Sequence, residues 1–417
     1  MFSSLFTTTD PNAPNFHPVS ERSDHFGKLE AGDLEWACSG GFVTETQTFY
    51  HFLEDETMIL CQVIHSSIGL WYPTVQFTCK IYNPNTKETI WRSINVSNFV
   101  TPPPGLDKRS CKADQFSITF RSSADPTHPE LYTIRANLSD DLQVSLDVSR
   151  PTSVPGFKVG NGPKGGFSYF GDKDKPEGYV VHRFWPRTAA SGHIIHKGQA
   201  ITAKGMGMMV HAIQGMRPNL VASRWNFATF QSNAHDGVSA VQMEFTTLET
   251  HGRRGPGSGG VTVNIGSLVL GGKLAVVTAE TKWPDERQLE ESRIVSRASH
   301  LNPVHDPDTG YQQPSTLVFQ WAGESLLGDS PGDISASLTV DVGNPNSAKG
   351  LVEKVDVLAE IPYVIKTVVN LAGTKPYIYQ WQNHAKLNVQ GPDTLIPGLS
   401  HGLEIQGLLF NEASFIS

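Results

Sequence analysis

The sequence predicts a mostly β protein built as two tandem antiparallel β-barrels packed together, with one helix near residues 360–372. Three observations predict it. Segments with apolar residues at alternate positions recur along the chain, as strands with one buried face require. Turn residues separate them throughout, among a total of 38 Gly and 27 Pro, which favours many short strands over long helices. And 417 residues are long for one core and comfortable for two.

The elements follow in order. Residues 1–28 are polar and broken by Pro11, and read as a flexible N-terminal segment with a short apolar start at Met1-Phe2 and Leu5-Phe6. Residues 29–203 form the expected N-terminal domain. Residues 43–50 alternate apolar and polar, and 58–64 read as the next strand. Residues 74–82 place Val75, Phe77, Cys79 and Ile81 on one face. The turn Asn83-Pro84-Asn85 returns the chain into 89–94. Residues 116–120, 131–136 and 142–148 continue this rhythm, which suits an antiparallel meander. Residues 151–178 are a Gly/Pro-rich connector, and 179–185 a further strand.

Residues 204–417 form the expected C-terminal domain. It opens on a run with a strand end at 210–213, breakers at 215–219, and a second alternating stretch. There Val221, Ser223, Trp225, Phe227, Thr229 and Gln231 share one face, and Ala222, Arg224, Asn226, Ala228 and Phe230 the other. Strands follow at 240–246, 260–265 and 274–281. Residues 284–314 read as a long polar surface excursion. Strands resume at 317–321 and 334–340. The helix near 360–372 has Pro362 in its first turn and Gly373 as its stop. Residues 377–381, 385–389 and 403–410 complete the sheet.

Several function classes are disfavoured. A formal net charge of −8, with no basic block, argues against nucleic acid. Cys38, Cys61, Cys79 and Cys111 show no CxxC and no Cys/His cluster, so neither a metal site nor a disulfide framework is expected. The N-terminus lacks the basic and apolar regions of a secretory signal, and no apolar run is long enough to span a membrane, so a cytoplasmic protein is expected. GxSxG, HExxH and a GxGxxG after a strand are absent. No catalytic residue can be named, and no cofactor is implied.

What remains is a set of strands carrying aromatic residues beside isolated polar ones: Tyr169, His182, Trp185, His211, Gln214, Trp225 and Gln231. A barrel pocket for an apolar molecule has this character, with a few polar groups to orient the ligand. The same residues could equally fill a solid core or seal the junction between domains.

The run GMMVHAIQGMRPNLVASRWNFATFQS (207–232) resembles the fungal survival factor 1 family. So do VTETQTFYHF (43–52), VQFTCKIY (75–82), PGFKVG (155–160), SYFG (168–171), HRFWPR (182–187), KVDVLAEIP (354–362), AGTKPYIYQW (372–381) and FNEASFIS (410–417). The resemblance implies two lipocalin-like barrels, binding of ceramide-type lipids, and a part in ceramide transfer from endoplasmic reticulum to Golgi and in survival under oxidative stress. It also implies transient contact with those membranes through an N-terminal amphipathic helix, of which this chain offers only the Met-Phe-x-x-Leu-Phe start. The alternative is a paralogue using the same pocket as a cofactor-free cyclase or isomerase of fungal natural-product biosynthesis, which needs shape and a few hydrogen-bond donors.

Overall fold

The computed structural model describes residues 14–69, 73–252, 259–284, 294–360 and 375–416. Two strongly curled antiparallel sheets organise them. Along the first, the strands run Thr89–Asn95, Thr74–Tyr82, Met58–Gly69, Gly41–Leu53, Gly205–Gln214, Pro176–His196, Leu142–Arg150, Glu130–Ser139, Phe116–Ser122 and Cys111–Lys112. Its two ends meet. Val100 bridges Lys112, and the Asp114 N–H donates to the Ser97 carbonyl at 3.0 Å. The curl therefore leaves little open edge, which is how barrels avoid exposing unpaired backbone groups.

The second sheet runs Lys273–Lys282, Thr262–Leu270, Val238–Thr246, Arg224–Ser232, Leu403–Phe415, Tyr377–Gln390, Asp333–Asp341, Thr316–Glu324 and Val295–Leu301, with Leu351–Asp356 paired to Tyr377–Gln390. Side chains draw its ends together. The Arg297 guanidinium grips the Glu280 carboxylate, which also accepts the Ser296 N–H at 3.0 Å.

Each sheet wraps its own core. In the first, Phe49, Phe77, Phe116, Tyr132 and Trp185 fill the interior, and Tyr132 lies 5.1 Å from Trp185 between ring centroids. In the second, Phe230, Phe319, Trp321, Tyr379 and Trp381 do so. Gly266 has a packing reason: a Cβ there would sit 2.6 Å from the Trp321 ring. A third core joins the outer faces of the two sheets. Tyr50 packs tilted between Phe227 and Phe410, with centroids 4.8 and 5.6 Å away, and Phe52, Leu60, Phe184, Val241 and Ile265 pack around them. Several strands at the junction are thus buried on both faces.

Some expectations change. The strand Gly205–Gln214, read as the start of the second barrel, lies in the first sheet between Gly41–Leu53 and Pro176–His196; the chain changes sheet in the following turn. Residues 14–28, read as part of a flexible arm, are tied down. Phe16 pairs with Phe170, is fully buried and packs on Phe245. The polar excursion contains an edge strand, Val295–Leu301, and residues 377–381 and 385–389 belong to one strand. A short helix, Val357–Glu360, is present; the helix expected near 360–372 lies, beyond residue 360, outside the described residues.

Candidate functional site

The junction between the barrels holds an apolar cleft of about 260 Å³. The outward faces of two neighbouring strands of the first barrel form one wall, through Thr44, Thr46, Ile64 and Ser66. Alternation explains this composition. Phe49 and Val63 face the filled barrel interior, so residues an odd number away point out to the junction. The opposite wall comes from Tyr377, Ile378 and residues 414–416 of the second barrel. Gln214 and Trp225 line the cleft where the chain crosses from one sheet to the other. Trp225 is fixed against Phe245, 5.1 Å away, and edge-on to His182 at 5.8 Å. Burial pushes the His182 imidazole down to about 4, so it is neutral at pH 7 and adds no charge to the apolar surroundings.

Polar ties clamp the junction beside the cleft. Gln76 lines the cleft, and Lys80 projects from the same face of its strand. The Lys80 side chain is fully buried, donates to Gln380, and lies 2.5 Å from the Glu353 carboxylate. Gln380 in turn donates to Glu412 at 2.6 Å. Burial raises the Glu412 carboxyl, against the opposing effects of Gln380 and Lys80. A buried lysine tolerates such a place only with acceptors at hand.

The seven residues singled out from sequence separate into four places. Gln214 and Trp225 meet in the cleft, and His182 backs Trp225. Gln231 is buried further along the junction, where its amide donates to the Pro186 carbonyl at 3.3 Å and accepts from Ser239 at 2.6 Å. Trp185 and His211 point into the first barrel. Tyr169 lies near the sheet edge, stacked on Phe167 at 5.6 Å.

His211 belongs to a buried polar belt. Arg183, His211 and Gln47 are direct neighbours across three strands, and Glu45 faces His65 one row away. The His211 Nε2 lies 2.8 Å from Glu45, whose carboxylate also accepts the N–H groups of Ala37 and Cys38. Burial alone would raise the Glu45 carboxyl; the His211 contact and the two backbone donors hold it below its ordinary range. His211 Nδ1 has no hydrogen-bond partner among the described residues.

Sequence reasoning missed Thr44, Thr46, Ser66 and Gln76, which form most of the polar wall. Their signal was small polar residues on the outward side of strands otherwise rich in core residues. Glu45 was also missed; among the described residues no other carboxylate forms a buried pair with a histidine.

The comparisons with known proteins agree among themselves. A family model described as the Svf1 family matches residues 2–417. The chain is 33% identical over 409 residues to the ceramide-binding protein svf1 of Aspergillus fumigatus, covering 94% of this chain and 91% of that protein. It is 31% identical over 395 residues to the ceramide-binding protein svf1 of Schizosaccharomyces pombe, covering 94% and 90%. Among solved structures, CghA with Sch210972 superposes with a TM-score of 0.59 at 11% identity, covering 90% of this chain and 89% of that one. Kievitone hydratase from Nectria haematococca gives 0.50 at 10% identity, covering 97% and 98%. These structural likenesses speak to the fold alone.

Proposed function

We propose that this chain, which belongs to the Svf1 family, binds a ceramide-type lipid with an alkyl chain in the cleft between its barrels. The observation that carries the reading is the cleft itself. It is an apolar hollow at the junction, lined by Trp225, Ile64, Ile378 and Phe415 together with Gln214, Gln76 and Ser66. Apolar walls with a few placed polar groups suit a molecule that has an alkyl chain and an amide-and-hydroxyl head. The names of the relatives support the choice of ceramide. Carriage of that lipid between endoplasmic reticulum and Golgi membranes from the cytoplasm, and its link to oxidative stress, are parts of the same proposal.

A titration with a short-chain fluorescent ceramide tests it. Trp225→Ala removes apolar contact from the cleft wall and weakens binding about tenfold. Thr46→Phe, which fills the cleft while leaving Trp225 in place, abolishes it. Unchanged affinity in both variants refutes the assignment.

A second reading, the cofactor-free cyclase or isomerase, is favoured by one observation, the buried Glu45–His211 pair. A carboxylate that holds one imidazole nitrogen orients the other as a proton acceptor. That chemistry would lie inside the first barrel, on the opposite side of the sheet from the cleft.

A further inference from the structure

A second hollow, of about 620 Å³, opens elsewhere along the junction. Its chemistry is the reverse of the lipid cleft. Arg187, Lys204, Lys273 and His128 line it, with Glu54 and Asp236 as the carboxylates in the wall. Glu54 is engaged with Lys204 at 2.7 Å, and Lys273 reaches Asp329 at 3.2 Å, so both lysines are held at the rim by exposed pairs.

Arg187 is the unusual member. It extends from the first barrel to the second, and every acceptor it reaches is uncharged. Nη1 donates to the Gln231 side chain at 3.3 Å, the Val238 carbonyl at 3.2 Å and Ser239 Oγ at 3.2 Å. Nη2 donates to Asn233 Oδ1 at 3.0 Å and faces Met206 Sδ at 3.8 Å. Among the described residues no carboxylate pairs with it, and its Nε–H makes no hydrogen bond. Burial lowers the guanidinium to about 10, which leaves it charged at pH 7. Removing a guanidinium from water without a counter-charge is costly, and neutral acceptors offset only part of that cost. Gly237 is specified by the same feature: a Cβ there would stand 2.7 Å from Arg187 Nε.

We propose that this hollow is an anion site, in which Arg187, with Lys204 and Lys273 at the rim, takes a phosphate group. An arginine with no carboxylate partner and an unused Nε–H, in a hollow rimmed by two lysines, presents positive charge and donors to a tetrahedral oxyanion. Ceramide has no charged group, so the site serves a different ligand from the cleft. It is independent of the lipid assignment. Because the lining comes from both barrels, a bound phosphate also ties them together.

The phosphate has two sources, free in solution or on a lipid headgroup, and one experiment separates them. The full chain is titrated with inorganic phosphate at constant ionic strength. It is then mixed with phosphatidylcholine vesicles, with and without phosphatidic acid. Saturable phosphate binding, weakened at least tenfold in Arg187→Gln and partly retained in Arg187→Lys, establishes a site for a soluble phosphate compound. Binding only to vesicles containing phosphatidic acid, with the same loss in Arg187→Gln, assigns a headgroup. Lys273→Gln alters only a half-exposed rim residue and decides the matter if Arg187→Gln does not fold; it weakens binding several-fold. Absence of binding in both arms, or affinity unaffected by these substitutions, overturns the proposal.

Discussion

Replacing His182 with phenylalanine keeps an aromatic ring at the junction and removes its titration. His182 is buried among Phe184, Trp225 and Phe245, and desolvation sets its imidazole at about 4. In the unfolded chain the ordinary value of about 6.5 applies. Above pH 6.5 the ring is neutral in both states and contributes no pH dependence. Between 6.5 and 4 the unfolded chain binds a proton that the folded chain does not, so stability falls as the pH falls through this window. One proton over that interval amounts to about 3 kcal/mol. Urea unfolding followed by tryptophan fluorescence, from pH 7.5 to 4, measures it. Wild type loses about 3 kcal/mol more than His182→Phe across the window, and the difference between the two isolates this ring from others such as His51, which burial sets at about 3. Parallel curves for the two proteins would refute the reasoning, because they would mean that the ring is hydrated or protonated in the fold.

Two further outcomes follow from the packing. Glu45→Ala leaves His211 and the Ala37 and Cys38 N–H groups without their acceptor, and costs about 3–5 kcal/mol; calorimetry of this variant, of His211→Phe and of the double variant shows strong coupling, and additive losses would contradict the pair. Phe227→Ala opens a cavity beside Tyr50 and costs about 3–5 kcal/mol. Because Phe227 joins the two barrels, calorimetry of this variant shows their unfolding separating into two transitions, where a single transition with unchanged stability would count against a shared junction core.

Much of the fold was legible because alternation survives wherever one face of a strand is buried and the other differs from it. The strand expected at 74–82 is found as Thr74–Tyr82. Legibility failed where a second partner altered the pattern. Gln382, Asn383 and His384 look like a break between two strands, yet Tyr377–Gln390 is continuous and Gln382 reaches the Glu56 carbonyl of the first barrel at 2.7 Å. Val295–Leu301 escaped notice because it is an edge strand with mostly half-exposed residues, stabilised by pairing along Thr316–Glu324. The site was legible only in part. Gln214 and Trp225 stand at the crossing between sheets, where local sequence already showed a turn between two amphipathic strands. Thr44, Thr46 and Ser66 become cleft residues only because a surface more than 300 residues away in sequence closes over them. No local pattern records which outer faces will meet.

The position of the lipid can be mapped by crosslinking. A ceramide carrying a photoreactive group in its acyl chain is irradiated with the full chain, and the adducts are located by peptide mass spectrometry. A lipid seated in the cleft gives adducts from both walls, at Gln214 and Trp225, at Tyr377 and Ile378, and at residues 414–416, with their loss in Thr46→Phe. Adducts on Phe77, Tyr132 or other residues inside the first barrel, or labelling that survives Thr46→Phe, would contradict it.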